Sequence, residues 1–372
     1  FEDQRNAGWV LEKVSVVVWE REVKYNETNR KTRSKKMKGF YDRLKTMLEQ
    51  EPSVRMAVSV EGEHPGMQVL WSDPEIWTSG DRELAEQWVA QLRDAVSGSC
   101  VQLENDRIFM QRYSAQPELV ILGGGHISRE LVSLGKQIGF RVTVVDDREE
   151  FASEERFPDA DRVICGAYDQ VFEKLPETPV GYYVVVTRGH LGDKECVRRI
   201  LQRPFRYAGM IGSRRKVAQT KKDLKAEGFA DSLLEQLHAP IGLDIGAVTP
   251  EEIAVSIAAE LIQVKNRETV QVMDEKVLEA LLTPEEKILA IIVEKKGSAP
   301  RGAGACMVIT EKGAAAGTIG GGAIEYEVQK HGLAMLREKR ETDLKAYQLN
   351  NIHSAGLGMI CGGSNEIFFL RL

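Results

Sequence analysis

The chain has 372 residues, too many for one ordinary hydrophobic core, so two or three domains are expected. It is 42% apolar and 28% charged, the balance of a globular protein, and no window approaches the roughly 18 uninterrupted apolar residues of a membrane span. A net charge of −6 argues against nucleic acid as the main partner, because a phosphate-binding surface normally carries a basic excess.

Residues 1–36 read as a basic extension. From Arg21 to Lys38 there are eight basic residues against two acidic ones, the pattern of a solvated linker, although the run VSVVVWE could form an edge strand. No signal-peptide core followed by a small-residue cleavage site is expected there. Met37 opens a helix with Phe40, Leu44, Met47 and Leu48 on one face. Residues 37–115 form a small α/β unit with a strand at Arg55–Val60 and a helix carrying Leu84, Trp88, Leu92 and Val96. Its last strand covers Arg107–Arg112, and Gln116 and Pro117 mark its boundary.

Residues 116–264 carry the most specific local pattern. From Leu119 the chain reads LVILGGGHISRELVSLGKQIGFRVTVVDD. An apolar strand ends in Gly123, Gly124 and Gly125. A helix with Ile127, Leu131, Leu134 and Ile138 on one face follows, and a second strand closes on Asp146 and Asp147. Strand, glycine turn, helix, strand and acid are the context of a Rossmann nucleotide site. Gly123 permits the tight turn, Gly125 lets backbone approach a pyrophosphate, and the helix start offers unpaired N–H groups. Asp146 stands where a ribose hydroxyl would be read. Ser128 takes the third small-residue position, a tolerable departure. The site would take NAD or another nucleotide, unless the domain keeps only the turn. Fold follows from this motif; chemistry does not.

Further strands are expected at Arg162–Ile164, Tyr182–Thr187 and Tyr207–Ile211. Polar loops follow two of them: Thr187–Asp193, with Arg188 and His190, and Gly209–Lys216, with Arg214 and Arg215. A third, from Ala239, offers Asp244. The closing helix has Thr249 as cap, Pro250 at its first position and Glu252 completing a capping box. Residues 265–276 look like a polar linker.

Residues 277–372 form a glycine-rich third unit. GSAPR, Gly297–Arg301, breaks a strand and presents a guanidinium, a natural oxyanion partner. GTIGGGAIE, Gly317–Glu325, puts Gly320, Gly321 and Gly322 before a helix as an anion-binding nest. GMICGG, Gly358–Gly363, sets Cys361 between glycines, where its thiol is open and nearby N–H dipoles favour the thiolate. The other cysteines, Cys100, Cys165, Cys196 and Cys306, are scattered and never form C-x-x-C. Neither a disulfide framework nor a zinc site is expected, and the expected compartment is reducing cytoplasm, with Cys165 and Cys196 structural. VRMAVSVEG and ENDRIFMQRY in the first unit parallel KILAIIVEK and SNEIFFLRL in the third, so the first could be a degenerate copy without the glycine motifs. The fold class is α/β: a Rossmann-like doubly wound parallel sheet flanked by two smaller α/β domains.

Read together, GSAPR, GTIGGGAIE, MICGG, LGGGHIS, VVDDREEFA, VTRGH, GMIGSRRK and HAPIGLDIGAVTPEEIAVSI resemble the xanthine dehydrogenase accessory (XdhC/CoxI) family from about Leu119 to Leu372. The resemblance implies a cytoplasmic chaperone of purine metabolism. It would bind molybdenum cofactor (molybdopterin or its dinucleotide), protect the sulfurated form and insert it into a xanthine dehydrogenase-type molybdenum hydroxylase. Such a carrier acts by binding and hand-off, without a catalytic residue. The implied cofactor-binding residues in the Rossmann-like part are Gly123, Gly125, His126, Ser128, Asp146, Arg188, His190 and Arg214. In the third unit they are Arg301, Gly320, Gly321, Gly322, Glu325, Cys361, Gly362 and Gly363, with Cys361 able to contact molybdenum. The implied partners are the hydroxylase apoprotein, a cysteine desulfurase and a second copy of the chain; neither nucleic acid nor membrane is among them. The family usually places the glycine–cysteine domain first, and here it comes last. The cofactor is therefore expected in the cleft between the Rossmann and third units, within one chain or between two. The rival reading, from the first glycine turn alone, is a NAD(P)-dependent oxidoreductase.

Overall fold

A computed structural model describes residues 39–175, 178, 180–267, 270–297, 301–348 and 363–372, except for the side chains of His190 and Leu191. The first unit begins with helix α1 (residues 39–50), whose Phe40, Tyr41, Leu44 and Met47 are all buried. Strands β1 (Val54–Gly62), β2 (Gln68–Ser72) and β3 (Glu75–Thr78) follow, then α2 (Arg82–Leu92), β4 (Ser99–Leu103) and β5 (Asp106–Ser114). Helix α2 ends before Val96, which is 69% exposed and lies off the expected apolar face. Strands β2, β3 and β4 are short, and their pattern does not separate them from loop.

The Rossmann unit comprises β6 (Glu118–Leu122), α3 (His126–Gln137), β7 (Arg141–Asp146), β8 (Arg162–Cys165), β9 (Gly181–Val185) and α4 (His190–Ile200). It continues through β10 (Tyr207–Met210), α5 (Arg214–Ala226), α6 (Asp231–Leu234), β11 (Leu237–His238) and α7 (Pro250–Lys265). Its parallel sheet has the order β8-β7-β6-β9-β10-β11, the doubly wound order, with the switch point between β6 and β9. Helices cover both faces, so β6 and β9 are buried along their whole length. The capping box of α7 forms as expected: the Thr249 hydroxyl accepts from the Glu252 N–H, and Glu252 answers the cap's own N–H.

The expected linker is not a free tether. It contains β12 (Gln271–Val272), which pairs in parallel with β5, and the third unit's first helix, α8 (Glu275–Leu282), starts inside it. Then come β13 (Lys287–Lys296), β14 (Cys306–Thr310), β15 (Gly313–Gly317), α9 (Ala323–Glu338), β16 (Thr342–Gln348) and β17 (Ser364–Arg371), giving the order β15-β14-β13-β17-β16.

The first and third units repeat one plan. The order helix, three strands, helix, two strands holds in α1-β1-β2-β3-α2-β4-β5 and in α8-β13-β14-β15-α9-β16-β17, with the same antiparallel pairings. The register agrees in detail. Ala57 faces Met110 as Ala290 faces Phe369, and a bulge falls between Ser59 and Glu61 as between Ile292 and Glu294. Contacts between the units are reciprocal, β13 with β4 and β1 with β16. One core joins Phe40, Leu44, Met56 and Phe109 of the first unit to Leu289, Ile291, Phe368 and Leu370 of the third. The two units are therefore halves of one packed body.

Truncating Phe368 to alanine should cost about 3–5 kcal/mol, the range for an aromatic deleted from a close-packed core. Hydrogen exchange is expected to quicken in β1 and β5 as well as in β13 and β17. Loss of protection confined to residues 287–371 would count against the shared core.

Candidate functional site

At the first glycine turn, Gly123 has φ 113°, and a Cβ there would lie 2.4 Å from the carbonyl oxygen of Val186. The loops after β6 and β9 thus pack directly at the switch point. Ser128 is buried and its hydroxyl donates to the Gly123 carbonyl, so it locks the turn instead of facing a ligand.

Asp146 corrects its expected role. It is fully buried, and its Oδ2 accepts the Gly124 N–H at 2.7 Å. Its Oδ1 accepts Arg148 N–H and Nε at 3.0 and 2.9 Å, and Arg148 Nη2 reaches Oδ2 at 3.1 Å. Burial alone would raise the Asp146 pKa; the Arg148 guanidinium and the Gly124 and Arg148 N–H groups outweigh it and hold the carboxyl below its ordinary value. The Phe151 carbonyl oxygen crowds Gly124, and Arg156 Nε donates to the Gly124 carbonyl at 2.9 Å. The carboxylate that would read a ribose is consumed inside the protein.

Open ground remains beside it. A Cβ on Gly125 or on Gly189 would meet nothing within 4 Å. Helices α3, α4 and α5 all start at this edge, and the start of a helix offers unpaired N–H groups. His126, Arg188, Arg214 and Arg215 are exposed there and form no ion pair among the described residues. Asp193 is buried and accepts from the Thr187 hydroxyl at 2.6 Å and from Lys216, pinning α4 to α5. His190 opens α4; its side chain lies outside the described residues.

In the third unit, strand direction places the attachment points of three motifs together. The ends of β13 and β15, the end of β16 and the start of β17 lie at one end of the sheet. From that end depart Gly297–Arg301, Gly317–Glu325 and the segment leading to Gly363. Arg301 is exposed and Gly363 buried, whereas Cys361 and Gly362 lie outside the described residues. The Gly320–Gly322 nest is also filled from within. Glu325 Oε1 accepts the N–H groups of Ile319 and Gly321 at 3.1 and 2.9 Å, together with the Thr318 hydroxyl. Burial would raise its pKa; the Thr318 hydroxyl and the nest N–H groups hold it low. A Cβ on Gly321 would meet nothing within 4 Å, so the nest stays open on its outer side.

The two regions do not share a cleft within one chain. The Rossmann unit meets the others through the starts of its strands: Arg141, at the start of β7, pairs with Glu275, and Pro117, Val180 and Arg206 line a cavity with Ser53, Ser114 and Val272. Gly123, Gly125 and Arg188 lie at the opposite ends of those strands. The loop-bearing end of the third unit sits on the linker side, with Gly304 against Gln271 and Gly317 against Val277. The expected cleft therefore fails in a single chain, because the parallel sheet itself stands between its two walls.

Among the cysteines, Cys196 is buried and its thiol is pushed up by burial, while Cys165 is exposed at the end of β8, contrary to its expected structural role. Among the described residues no cluster of three His, Cys, Asp or Glu side chains could hold a metal, and no helix is long and apolar enough to cross a membrane. Sequence reasoning missed Arg148 and Arg156, and it placed Lys216 among the loop's cations without its partner Asp193. An arginine two residues after Asp146 is plain in the sequence, but its pairing depends on the Phe151 turn.

Residues 119–261 match the XdhC Rossmann domain, and residues 281–348 match the XdhC and CoxI family. "Uncharacterized protein YqeB" of Escherichia coli (strain K12) is 32% identical over 174 residues, 46% of this chain and 31% of that protein. A probable xanthine dehydrogenase subunit of Bacillus subtilis (strain 168) is 32% identical over 164 residues, 44% of this chain and 48% of that protein. The matched segments thus span about a third and about half of these relatives. The crystal structure of a xanthine dehydrogenase from Bacillus halodurans aligns at 25% identity and TM-score 0.50, over 60% of this chain and 65% of that one.

Both carboxylates have depressed native pKa values, so their contribution is complete above the ordinary values of 3.8 for Asp146 and 4.5 for Glu325. It is lost as the pH falls through the native ones. Asp146→Asn should cost about 3 kcal/mol at neutral pH by stranding Arg148. Glu325→Gln should lower the melting temperature at neutral pH, and both variants should lose less than wild type on further acidification. Thermal melts from neutral to about pH 3 check this; an acid limb as steep as wild type in both would refute it.

Proposed function

The chain belongs to the XdhC and CoxI family, which is associated with xanthine dehydrogenase, and we propose that it binds molybdenum cofactor and delivers it to a molybdenum hydroxylase. The observation that supports this reading is that the strand ends next to Gly297, Gly317 and Gly363, where the GSAPR, GTIGGG and MICGG motifs attach, lie at one end of the third unit's sheet. The residues there fit a pterin cofactor. Gly321 leaves an open cradle, Arg301 is an exposed guanidinium, and a buried amide at the same end lacks a partner among the described residues. Gly320, Gly321, Gly322 and Arg301 would hold the pterin or its phosphate, and Cys361 would supply a soft thiolate toward molybdenum. When bound, the cofactor supplies the metal chemistry; this chain orients and shields it.

A second anionic ligand fits the Rossmann switch point. Gly125 and Gly189 leave space among three helix starts, with Arg188 and Arg214 beside it. A nucleotide diphosphate, free or as part of a cofactor dinucleotide, has the matching charge. The internal use of Asp146 weighs against a nicotinamide oxidoreductase, whose ribose would need that carboxylate. A hydroxylase apoprotein, a sulfur-donating cysteine desulfurase and a second copy of the chain are the partners this role calls for.

Full-length protein made in a host that synthesises molybdenum cofactor should copurify with molybdopterin, scored by the fluorescence of its oxidised pterin. Cys361→Ala is expected to retain several-fold less while melting as wild type does. Tightly bound NAD(H) with no pterin would overturn the proposal. In thermal-shift titrations with NAD, NADP, ATP and CTP, Gly125→Val should abolish whatever stabilisation wild type shows.

A further inference from the structure

The register that relates the first and third units pairs Asp106 with Asn365, Ser59 with Ile292 and Ile108 with Ile367. In the first unit the acid is satisfied. Asp106 is buried and accepts from the Ser59 hydroxyl at 2.9 Å, the His64 N–H at 2.9 Å and His64 Nδ1 at 2.8 Å. In the third unit the hydroxyl donor is gone, since Ile292 replaces Ser59. Asn365 is fully buried, and neither its amide oxygen nor its amide nitrogen has a hydrogen-bond partner among the described residues. Tyr347, its register partner on β16, is 8% exposed; its ring lies 6.5 Å from that of Phe369, and its hydroxyl is on the side of Asp343 and Glu327, away from the amide.

A fully buried amide with neither atom met is expensive and needs an explanation. Its place supplies one. Ile367 and Phe369 alternate with Asn365 on β17 and pack with Ile324 and Val328 of α9, so Asn365 is on the face that α9 covers. Helix α9 leaves β15 at the loop-bearing end and finishes where β16 starts, so its first turn and the Gly320–Gly322 nest lie at Asn365's end.

We propose that Asn365 is a ligand-recognition residue that reads the lactam edge of the pterin ring. This inference rests on the cofactor reading above. A carboxamide offers an acceptor and a donor side by side, the complement of a ring N–H next to a ring carbonyl. The carboxylate of Asp106 could accept but not donate, so the copy that lost its glycine loops also lost this edge-reading capacity.

The test uses the full chain, with wild type, Asn365→Leu and Tyr347→Phe. In thermal melts without ligand, Asn365→Leu should melt at or above wild type, because it removes an unmet polar group. In titrations followed by pterin fluorescence, free pterin should bind wild type at least tenfold more tightly than Asn365→Leu. It should also bind more tightly than 2-aminopteridine, which lacks the ring carbonyl. Tyr347→Phe, whose lost hydroxyl lies away from the amide, should bind as wild type does. A drop of several degrees in the melt of Asn365→Leu would mean that the amide is satisfied within the protein, and the inference fails. Equal pterin affinity or equal molybdopterin copurification in Asn365→Leu and wild type overturns the inference and leaves the cofactor reading standing. Wild type that takes up neither pterin nor molybdopterin overturns both.

Discussion

In two glycine turns of this molecule, at Gly123–Gly125 and at Gly320–Gly322, the anion that a cluster of backbone N–H groups attracts comes from the chain itself. Asp146 closes on Gly124, and Glu325 closes on Ile319 and Gly321. A nest of N–H groups is a positive pole, and leaving it unmatched in a folded protein costs free energy. An internal carboxylate removes that cost and fixes the turn without a ligand. The arrangement also separates two properties that a sequence motif merges: a glycine turn shaped for an anion and one that is free to take one. What a ligand can use is the ground beside each filled nest, Gly125 and Gly189 in one case and the outer side of Gly321 in the other.

The duplicated plan explains why the third unit can carry three glycine-rich segments at one end of a single sheet. Glycines contribute little apolar area, and a unit of this size has a small core to begin with. Its inner face is completed by the first unit, through Phe40, Met56 and Phe109. In that first unit, the turn between β4 and β5 spans only Glu104 and Asn105, where the third unit has the segment from residue 349 to Gly363. One copy has become support, and the other has kept its loops. The same bulge in both, at Val60 and at Val293, marks the common plan more clearly than the residues do.

Periodic signals carried the sequence reading where structure is local. The α3 stripe, the capping box of α7 and the strand–turn–helix at Gly123 depend on neighbours within a few residues, and each is found where the sequence places it. Signals that depend on tertiary partners were not legible. Asp146 looks like a ribose reader until Arg148 and the Phe151 turn are in place. The linker looked polar because β12 is two residues long and gains its partner, Tyr113 of β5, from over 150 positions away. Asn365 carries no sequence signal at all; only its comparison with Asp106 across the repeat makes it visible.

In the role proposed above, the chain must bind its cargo and also let it go. In that role, two features of this chain favour moderate affinity over maximal affinity, and a third opposes them. With a net charge of −6, long-range attraction for an anionic cofactor is weak, so binding rests on short-range donors such as Arg301. The nest carboxylate Glu325 stays in place as a standing competitor for the same N–H groups, ready to refill them when an anion leaves. The unmet amide of Asn365 works in the opposite direction: the free protein holds it at a cost, and a ligand that satisfies it relieves that cost on arrival. Specificity from a desolvated amide, set against an internal rival for the charge, lets such a site discriminate strongly by shape and hydrogen bonding while holding its cargo no tighter than delivery allows.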